Sequence, residues 1–462
     1  MRDLAFLASW LVLIPIVTGG ADLAVMLWAW TSLLAPNDLL FGIAVLIPFA
    51  KVAAVVAALL FVVRRGGGQF RLGRTGWLLL ALAAGTIVSQ SMTVMTDPAP
   101  GWDIGQKYLK ILALALMVLW VITDRIRVHG LLLMICLGIG YIGVDEGLKV
   151  LISGSGHKVL GSPSLGDNNQ VALDVLLIIP LLQYLYATAA SRALRLACGS
   201  TILLSAITVV ATFSRGGFVG LVIVGLGSVL ASRRKALSGA MLAVALAVGA
   251  VYVGDDWTQR MTTVVQSVGE DSSFMGRVIA WKVSTALAIE RPFVGGGFHA
   301  IQHPEVWYSQ ARGFLALDFV PTDAQGAFPR AAHSVYFEML GDLGFTGLGC
   351  FLALLAVAWH DAGVIRRLVS QSGRADLAWA ADLAIKLRVS LATFMVSGGL
   401  LSAAYYDIDY LLIVLASALR FIVQRALQDP PGTAAPAKLI QGRPSAPAAA
   451  RQLRPVTARG SG

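Results

Sequence analysis

The sequence predicts an all-α polytopic membrane protein of about 12 (12–13) transmembrane helices, with one long, partly helical loop on one side of the membrane. Mean hydropathy is +0.74, and only 13% of the residues are charged, whereas soluble domains carry about a quarter. The apolar residues form continuous runs of about 17–25 residues, the length that a helix needs to cross a bilayer. A closed membrane barrel would show alternating strands instead.

The spans follow from these apolar runs, taken in order along the chain. Pro15 and Gly19-Gly20 interrupt the first two runs, which form either one broken crossing or two short ones. The first run resembles a signal peptide but lacks a small-residue cleavage site, so we expect it to be retained. The predicted spans lie near residues 4–18, 21–35, 41–63, 76–95, 105–123, 129–147, 170–188, 195–213, 216–231, 237–253, 335–358, 386–404 and 410–424.

Arginine and lysine set the predicted orientation. Half of the net charge of +10 lies after Phe421, and most of the rest lies in short loops between apolar runs. Basic loops beside spans indicate the cytoplasmic side and anionic lipid, so we expect a bilayer partner and no nucleic acid. The basic segments that alternate along the chain are 64–74, 124–128, 192–195, 233–235 and 366–374. The opposite, outer face receives 96–104, 148–169, 214–217, 254–334 and 405–409.

Four segments organise the chain. Residues 1–253 are predicted to form N-terminal membrane helices, 254–334 a large outer loop, and 335–425 C-terminal membrane helices. Residues 426–462, rich in proline, alanine and arginine, are predicted to be a disordered basic cytoplasmic tail. The three cysteines lie inside apolar segments without metal-ligand spacing, so they predict neither a disulfide framework nor a metal site.

The outer loop contains a predicted helix and a glycine-rich turn. Residues 275–290 read as an amphipathic helix with Val278, Trp281, Thr285 and Ala288 on one face, and Arg291-Pro292 ends it. Gly295-Gly296-Gly297 follows, and its amides could approach a ligand closely. The alternative, which we favour because no phosphate-loop lysine follows, is a flexible turn.

His333 is the leading candidate for chemistry, because it stands where a helix begins to enter the membrane. A helix N-terminus attracts anions and disfavours a protonated imidazole, and a neutral imidazole can act as a base. The alternative is an interfacial histidine that hydrogen-bonds a loop carbonyl.

Basic residues at the outer membrane edge are candidates for holding a phosphate. Arg215 lies in a tight turn between two spans, where an arginine costs about 2.5–3.5 kcal/mol unless it has a partner. A phosphate would suit its planar fork, although a snorkelling arginine is the alternative. Arg277 is a weaker candidate, and Lys107 and Lys110 would widen a basic site.

Two polar motifs complete the candidate residues. Asp407-Ile408-Asp409 is similar to the Asp-x-Asp of nucleotide-sugar transferases, whose carboxylates bridge a metal to a pyrophosphate. We favour for it a role in orienting His333 or Arg215. Gly166-Asp167-Asn168-Asn169 is explained in part as a helix N-cap, with substrate binding as the alternative.

These motifs resemble those of a known family. In order, the chain carries Ser214-Arg215-Gly216-Gly217 between two spans, Gly276-Arg277 followed by Trp281, Arg291–Phe298 and Ala332–Leu348. The set resembles the O-antigen ligase and polymerase superfamily of bacterial cell envelopes over about residues 1–425. Within it, Gly161-Ser162-Pro163, Asp167-Asn168-Asn169 and Tyr405-Tyr406-Asp407 resemble the branch of exosortase-associated putative O-glycosylation ligases.

The resemblance implies a metal-independent, inverting membrane glycosyltransferase without a cofactor, in the inner membrane with its active site facing the periplasm. The implied donor is a glycan on undecaprenyl pyrophosphate, moved en bloc to a hydroxyl, commonly of the lipid A–core of lipopolysaccharide. His333 matches the proposed general base, and Arg215 and Arg277 match the pyrophosphate clamps. Asp407 is a looser match, and Asn168, Asn169 and Tyr336 are expected to support the site.

Three alternatives to a lipopolysaccharide ligase stay open. A protein O-oligosaccharyltransferase would use a protein acceptor, and an O-antigen polymerase would extend a second lipid-linked glycan. A lipid-linked glycan transporter is the alternative outside this class. Against the transporter, the sequence has no paired inverted repeats with broken helices, and its polar groups gather at one face of the membrane.

Overall fold

The structure, a computed structural model, describes residues 2–63, 72–153, 157–162, 166–231, 272–311 and 328–428. In these ranges, seven helices are long and apolar enough to cross a membrane. This confirms an all-α polytopic membrane protein, while the count of about 12 spans stays a prediction. Residues 64–71, the span predicted at 237–253, the first part of the outer loop, residues 312–327 and the tail after 428 lie outside the described residues.

The long elements in these ranges are helices, joined by short turns and one two-stranded ribbon, β1 (Gly161–Ser162) with β2 (Gly166–Asp167). Most predicted spans that fall in the described residues coincide with a helix. The helices are α1 (Arg2–Val17), α2 (Ala21–Leu34), α3 (Phe49–Val63), α4 (Gly73–Ser91), α5 (Ala99–Val121), α6 (Arg125–Ser153), α7 (Asn168–Thr188), α8 (Arg192–Ala211), α9 (Arg215–Ala231), α10 (Ser272–Glu290), α11 (Pro304–Ala311), α12 (Val335–Ser372), α13 (Ala378–Ser397) and α14 (Asp407–Gln428).

The predicted span 41–63 is wrong as a continuous helix. A 3-10 turn over Gly42–Leu46 precedes α3, and Pro48 separates the two. The Asn37 side-chain amide donates to the carbonyls of Val45 and Ile47, at 2.7 and 2.9 Å. These bonds satisfy backbone oxygens that a continuous helix would have used, so the turn is stabilised by a side chain 8 to 10 residues earlier in the chain.

The membrane core centres on α7, which is more fully buried than the other six candidate spans. It packs against α8, α9 and α13, while α14 packs against α12, α13 and α5. A second, smaller core lies under the outer loop. It is formed by Met95, Ile279, Ala280, Val283, Leu287, Ala300, Ile301, Val306, Trp307 and Ala332.

The amphipathic helix predicted at 275–290 is present as α10, and it ends at Arg291-Pro292 as expected. Its predicted apolar face is partly wrong. Trp281 and Thr285 are only half-buried, whereas Ile279, Val283 and Leu287 face the loop core. The helix is anchored by aliphatic residues one or two positions away from the predicted stripe, which leaves Trp281 able to reach α12.

The α12 helix is longer than predicted and contains a break. Gly344 has φ +67° and ψ −169°, outside helical space, where a non-glycine residue would be strained. The amide of Phe345 donates to the carbonyl of Pro292 at 2.8 Å. A Cβ on Gly344 would lie 2.6 Å from the same carbonyl oxygen. Glycine therefore lets the loop backbone dock directly against the broken helix.

The glycine motif Gly295-Gly296-Gly297 forms the other half of this junction, and the structure corrects both interpretations offered for it. All three glycines are buried. Their amides donate to the carbonyls of Arg291, Gly341 and Asp342 at 2.9 to 3.1 Å. The motif is therefore neither a flexible turn nor a set of open amides for a ligand, because its donors are used to fix the loop to α12.

Candidate functional site

Two hydrogen bonds hold the peptide group between Ala332 and His333 at the outer end of α12. The His333 backbone has the left-handed φ of +47°, and its amide donates to Ser402 Oγ at 3.1 Å. The preceding carbonyl, of Ala332, accepts from Trp281 Nε1 at 2.8 Å. The Trp281 ring stacks on Phe337, with centroids 5.0 Å apart. Two other segments of the chain, α10 with Trp281 and the segment with Ser402, therefore fix the position of this histidine.

The surroundings of His333 favour a neutral ring. Burial lowers its pKa, and the charge of Arg277 lowers it further, with a smaller contribution from Arg330. The carboxylates of Asp167 and Glu338 oppose these effects without reversing them. Among the described residues, no loop carbonyl accepts a hydrogen bond from the ring. A neutral, half-buried imidazole is the state that a general base requires.

A second histidine, His299, lies beside the Glu338 carboxylate. Sequence analysis did not predict it as a site residue. Its backbone is also left-handed, with φ +60°, and its amide donates to Asp342 Oδ1 at 3.0 Å. Its Nε2 lies 3.7 Å from Glu338 Oε1. Burial alone would lower the pKa of His299, but the nearby Glu338 carboxylate and the charge of Asp342 raise it.

Glu338 and Asp342, one turn apart on α12, connect this histidine to the segment before α14. Both are buried. Glu338 Oε2 accepts from the amide of Ala404 at 3.1 Å, and Asp342 Oδ2 accepts from the Tyr405 hydroxyl at 2.8 Å. The two carboxylates thus have defined partners, as buried charges require.

Arg215 lies at the same end of the bundle as His333. It begins α9, and Ser214 Oγ caps that helix by accepting from the amide of Gly217 at 2.9 Å. A Cβ on Gly216 would lie 3.5 Å from the Leu401 side chain. Leu401 directly precedes Ser402, the partner of His333. The structure therefore brings together the ends of α9 and α12.

The predicted supporting residues form hydrogen bonds that cap or join helices, as shown for Asn168, Asn169 and Tyr336. Asp167 caps α7 by accepting from the amides of Asn169 and Gln170, which agrees with the N-cap interpretation. The Asn168 side chain donates to the carbonyl of Thr212 at 2.7 Å, joining α7 to the end of α8. The Tyr336 hydroxyl donates to the carbonyl of Met395 at 2.6 Å, joining α12 to α13.

Lys107 and Lys110 line a cavity of about 420 Å³ together with Lys51 and Asp407. The lining of this cavity includes none of His333, Arg215 and Arg277. The four basic residues predicted to hold pyrophosphate are therefore divided. Two arginines lie at the His333 end of α9 and α10, and two lysines line the cavity.

The Asp-x-Asp motif does not form a shared metal site in the described part of the chain. Asp407 lines the cavity, whereas Asp409 is 1% exposed and does not line it. In those residues, no group of three or more histidines, cysteines or acids could hold a metal. The carboxylates whose charge acts on His333 are Asp167 and Glu338, whereas sequence analysis favoured Asp407 for a role in orienting His333 or Arg215.

Arg330 is a further basic residue that sequence analysis missed. Its guanidinium packs over Gly276, where a Cβ would overlap it, and its charge acts on His333. The sequence signal was the short separation of Arg330 from His333. The signal for His299 was its place directly after the glycine motif and Phe298.

The fold and this cluster define a multi-pass helical membrane protein with basic, imidazole and carboxylate groups gathered at one end of its helices. Residues 200–352 match the family model described as O-Antigen ligase. This match supports the O-antigen ligase superfamily, in agreement with the resemblance seen in the motifs. A match to this family suggests a glycosyltransferase-like enzyme.

The two halves of the candidate site fall in different matched regions. Arg215, Arg277 and His333 lie inside the O-Antigen ligase match. Residues 1–190, which include Lys107 and Lys110, match a model described as a family of unknown function (DUF5935). No curated protein matches the chain.

Proposed function

We propose that this protein is an O-antigen ligase-type glycosyltransferase of the bacterial inner membrane. It moves a glycan en bloc from undecaprenyl pyrophosphate to a hydroxyl of the lipid A–core, at the periplasmic face. The observation that carries the proposal is His333, an imidazole whose pKa is lowered by burial and by the charge of Arg277, fixed through Ser402 at the same end of the bundle as Arg215.

Arg215 and Arg277 bind the pyrophosphate of the donor. A guanidinium offers two parallel donors to a phosphate and stays charged at membrane depth, so it suits a doubly phosphorylated lipid head. As the sugar leaves, negative charge grows on the pyrophosphate. Fixed cations stabilise that charge without reorganising, and they do so more strongly where water is excluded.

His333 takes the proton of the acceptor hydroxyl. The hydroxyl oxygen attacks the anomeric carbon from the side opposite the pyrophosphate, the new glycosidic bond forms, and the bond to the phosphate oxygen breaks. The anomeric configuration is therefore inverted. The proton ends on the imidazole, where the carboxylates of Glu338 and Asp167 stabilise the imidazolium.

His299 and Glu338 form a supporting pair. The raised pKa of His299 keeps it cationic further up the pH range than an ordinary histidine. Its charge offsets that of Glu338, which accepts from the Ala404 amide and thereby holds the segment that also supplies Ser402. The pair thus fixes the support on which His333 rests.

Reconstitution tests this function and separates it from its alternatives. Purified protein in proteoliposomes is given an undecaprenyl pyrophosphate-linked glycan and one of three acceptors: lipid A–core, a protein, or a second lipid-linked glycan. We expect transfer to lipid A–core with inversion. Transfer only to the protein or only to the second glycan would replace the proposed acceptor, and no transfer to any would contradict the function.

A further inference from the structure

A cavity with both polar and apolar walls lies between α2, α3, α5, α7 and α14. Its volume is about 420 Å³. Its walls combine lysines, carboxylates, aromatic rings and aliphatic side chains. The lining residues on which the argument rests are Trp28, Lys51, Lys107, Lys110, Asp174 and Asp407.

Three ammonium groups from two helices face this cavity. Lys51 lies on α3, and Lys107 and Lys110 lie one turn apart on α5. All three side chains are exposed. The Lys107 ammonium lies 4.5 Å from the centre of the Tyr406 ring, a cation–π distance that fixes its position. Such a set of ammonium groups at a membrane-facing cavity favours an anionic head group.

Two carboxylates share the cavity with these lysines. Asp174 is 3% exposed and accepts from Gln170 Nε2 at 2.8 Å, and Asp407 lines the cavity together with Ser32. A carboxyl group has further acceptor positions beyond one hydrogen bond. Those positions suit hydroxyl donors, of which a saccharide has many.

The donor pyrophosphate already has proposed ligands elsewhere, Arg215 and Arg277, and neither arginine lines this cavity. The ammonium groups of the three lysines can therefore bind a second phosphate group. Trp28 and Tyr406 add flat aromatic surfaces, of the kind against which a sugar ring packs.

We propose that this cavity binds a phosphorylated saccharide, the head group of the lipid-linked acceptor, separately from the donor pyrophosphate. The inference rests on the proposed function. The cavity is adjacent to the site, because Tyr406 follows Tyr405, which donates to Asp342. The charge of Lys107 also acts on His299. An acceptor held in the cavity would thus lie next to the groups that activate its hydroxyl.

Acceptor binding without donor tests the cavity directly. Full-length protein in nanodiscs is titrated with rough lipopolysaccharide, either intact or stripped of phosphate by hydrogen fluoride, and binding is followed by microscale thermophoresis. We expect the wild type to bind the intact form at least about tenfold more tightly. Lys51→Met and Lys110→Met should lose this preference. Lys149→Met is the matched control, because Lys149 pairs with Asp145 and Glu146 on α6 and does not line the cavity.

Undecaprenyl pyrophosphate is titrated into the same variants as a second probe. Its binding shows whether the cavity takes the phosphate of the acceptor or the pyrophosphate of the donor, and it also shows that the variants are folded. We expect its affinity to be unchanged in all of them. Loss of its binding in Lys51→Met and Lys110→Met, with acceptor binding intact, would assign the cavity to the donor and overturn the proposal. Equal affinity for intact and stripped acceptor would overturn it as well. These binding titrations need no glycan transfer. An absence of transfer would therefore contradict the proposed function without changing the outcome of the test of the cavity.

Discussion

The Nε2 atom of His299 lies 3.7 Å from Oε1 of Glu338, and the same carboxylate acts on His333. The two histidines nevertheless shift in opposite directions. The pKa of His299 is raised, whereas that of His333 is lowered. Opposite shifts of neighbouring titratable groups are typical of an acid–base site, because they let one group carry charge while the other stays neutral.

The pH profile of transfer should show an acid limb set by His333. A base must be neutral, and a lowered pKa keeps His333 neutral down to a lower pH, so kcat/KM should fall only below about pH 6.5. Arg277→Gln removes a charge that lowers this pKa, so the limb should move to higher pH. Arg330→Gln should move it in the same direction by less. An unchanged limb in Arg277→Gln, measured by initial rates, would contradict the assignment.

Arg215 should hold the donor through its forked guanidinium. Hydrogen bonds to charged groups contribute about 1.5–3 kcal/mol, so Arg215→Ala should weaken donor binding by about tenfold or more. Arg215→Lys keeps the charge but loses the fork, and its loss should be smaller. The measurement is the dissociation constant for undecaprenyl pyrophosphate in nanodiscs. Equal affinities in wild type, Arg215→Ala and Arg215→Lys would eliminate the clamp.

Chelation should leave transfer intact, because arginines carry the charge of the leaving pyrophosphate in the proposed mechanism. Initial rates are compared before and after dialysis against EDTA, with added Mg²⁺ as the control. A strict requirement for a divalent cation would instead bring Asp407 and Asp409 into the mechanism.

Gly344 should be far less tolerant of substitution than Gly349, although both lie in α12. Gly344 has φ +67°, and a Cβ there would lie 2.6 Å from the Pro292 carbonyl oxygen, so Gly344→Ala should cost about 1–3 kcal/mol and displace the loop. A Cβ on Gly349 meets nothing within 4 Å, so Gly349→Ala should be neutral or stabilise by up to about 1 kcal/mol. Thermal unfolding in detergent measures both, and equal melting temperatures would contradict the junction.

Much of the helical framework could be predicted from the sequence, because apolar runs of spanning length leave few alternatives in a bilayer. The prediction failed at two breaks. Pro48 is a local signal for the break within the predicted span 41–63, where Asn37 stabilises the turn. At the break in α12, Pro292 accepts from Phe345, a partner distant in sequence that no local pattern reveals.

The candidate site was predictable only in part for the same reason. His333, Arg215 and Arg277 stand out because charged or titratable residues beside spans need a partner. Glu338 and Asp342 are acids within a predicted span and therefore also need partners. Those partners, His299 and Tyr405, become known only when the loop and the segment before α14 are placed against α12. The separation of Lys107 from Arg215 likewise depends on how α2, α3, α5 and α14 pack.

The most direct test of the account is single-turnover glycan transfer from undecaprenyl pyrophosphate to lipid A–core by His333→Ala. His303→Ala, a second histidine of the outer loop, serves as the matched control. The account predicts that His333→Ala folds, binds the donor normally and transfers glycan at least about a hundredfold more slowly, as expected for loss of a general base, while His303→Ala transfers at the wild-type rate. Wild-type transfer by His333→Ala would contradict it.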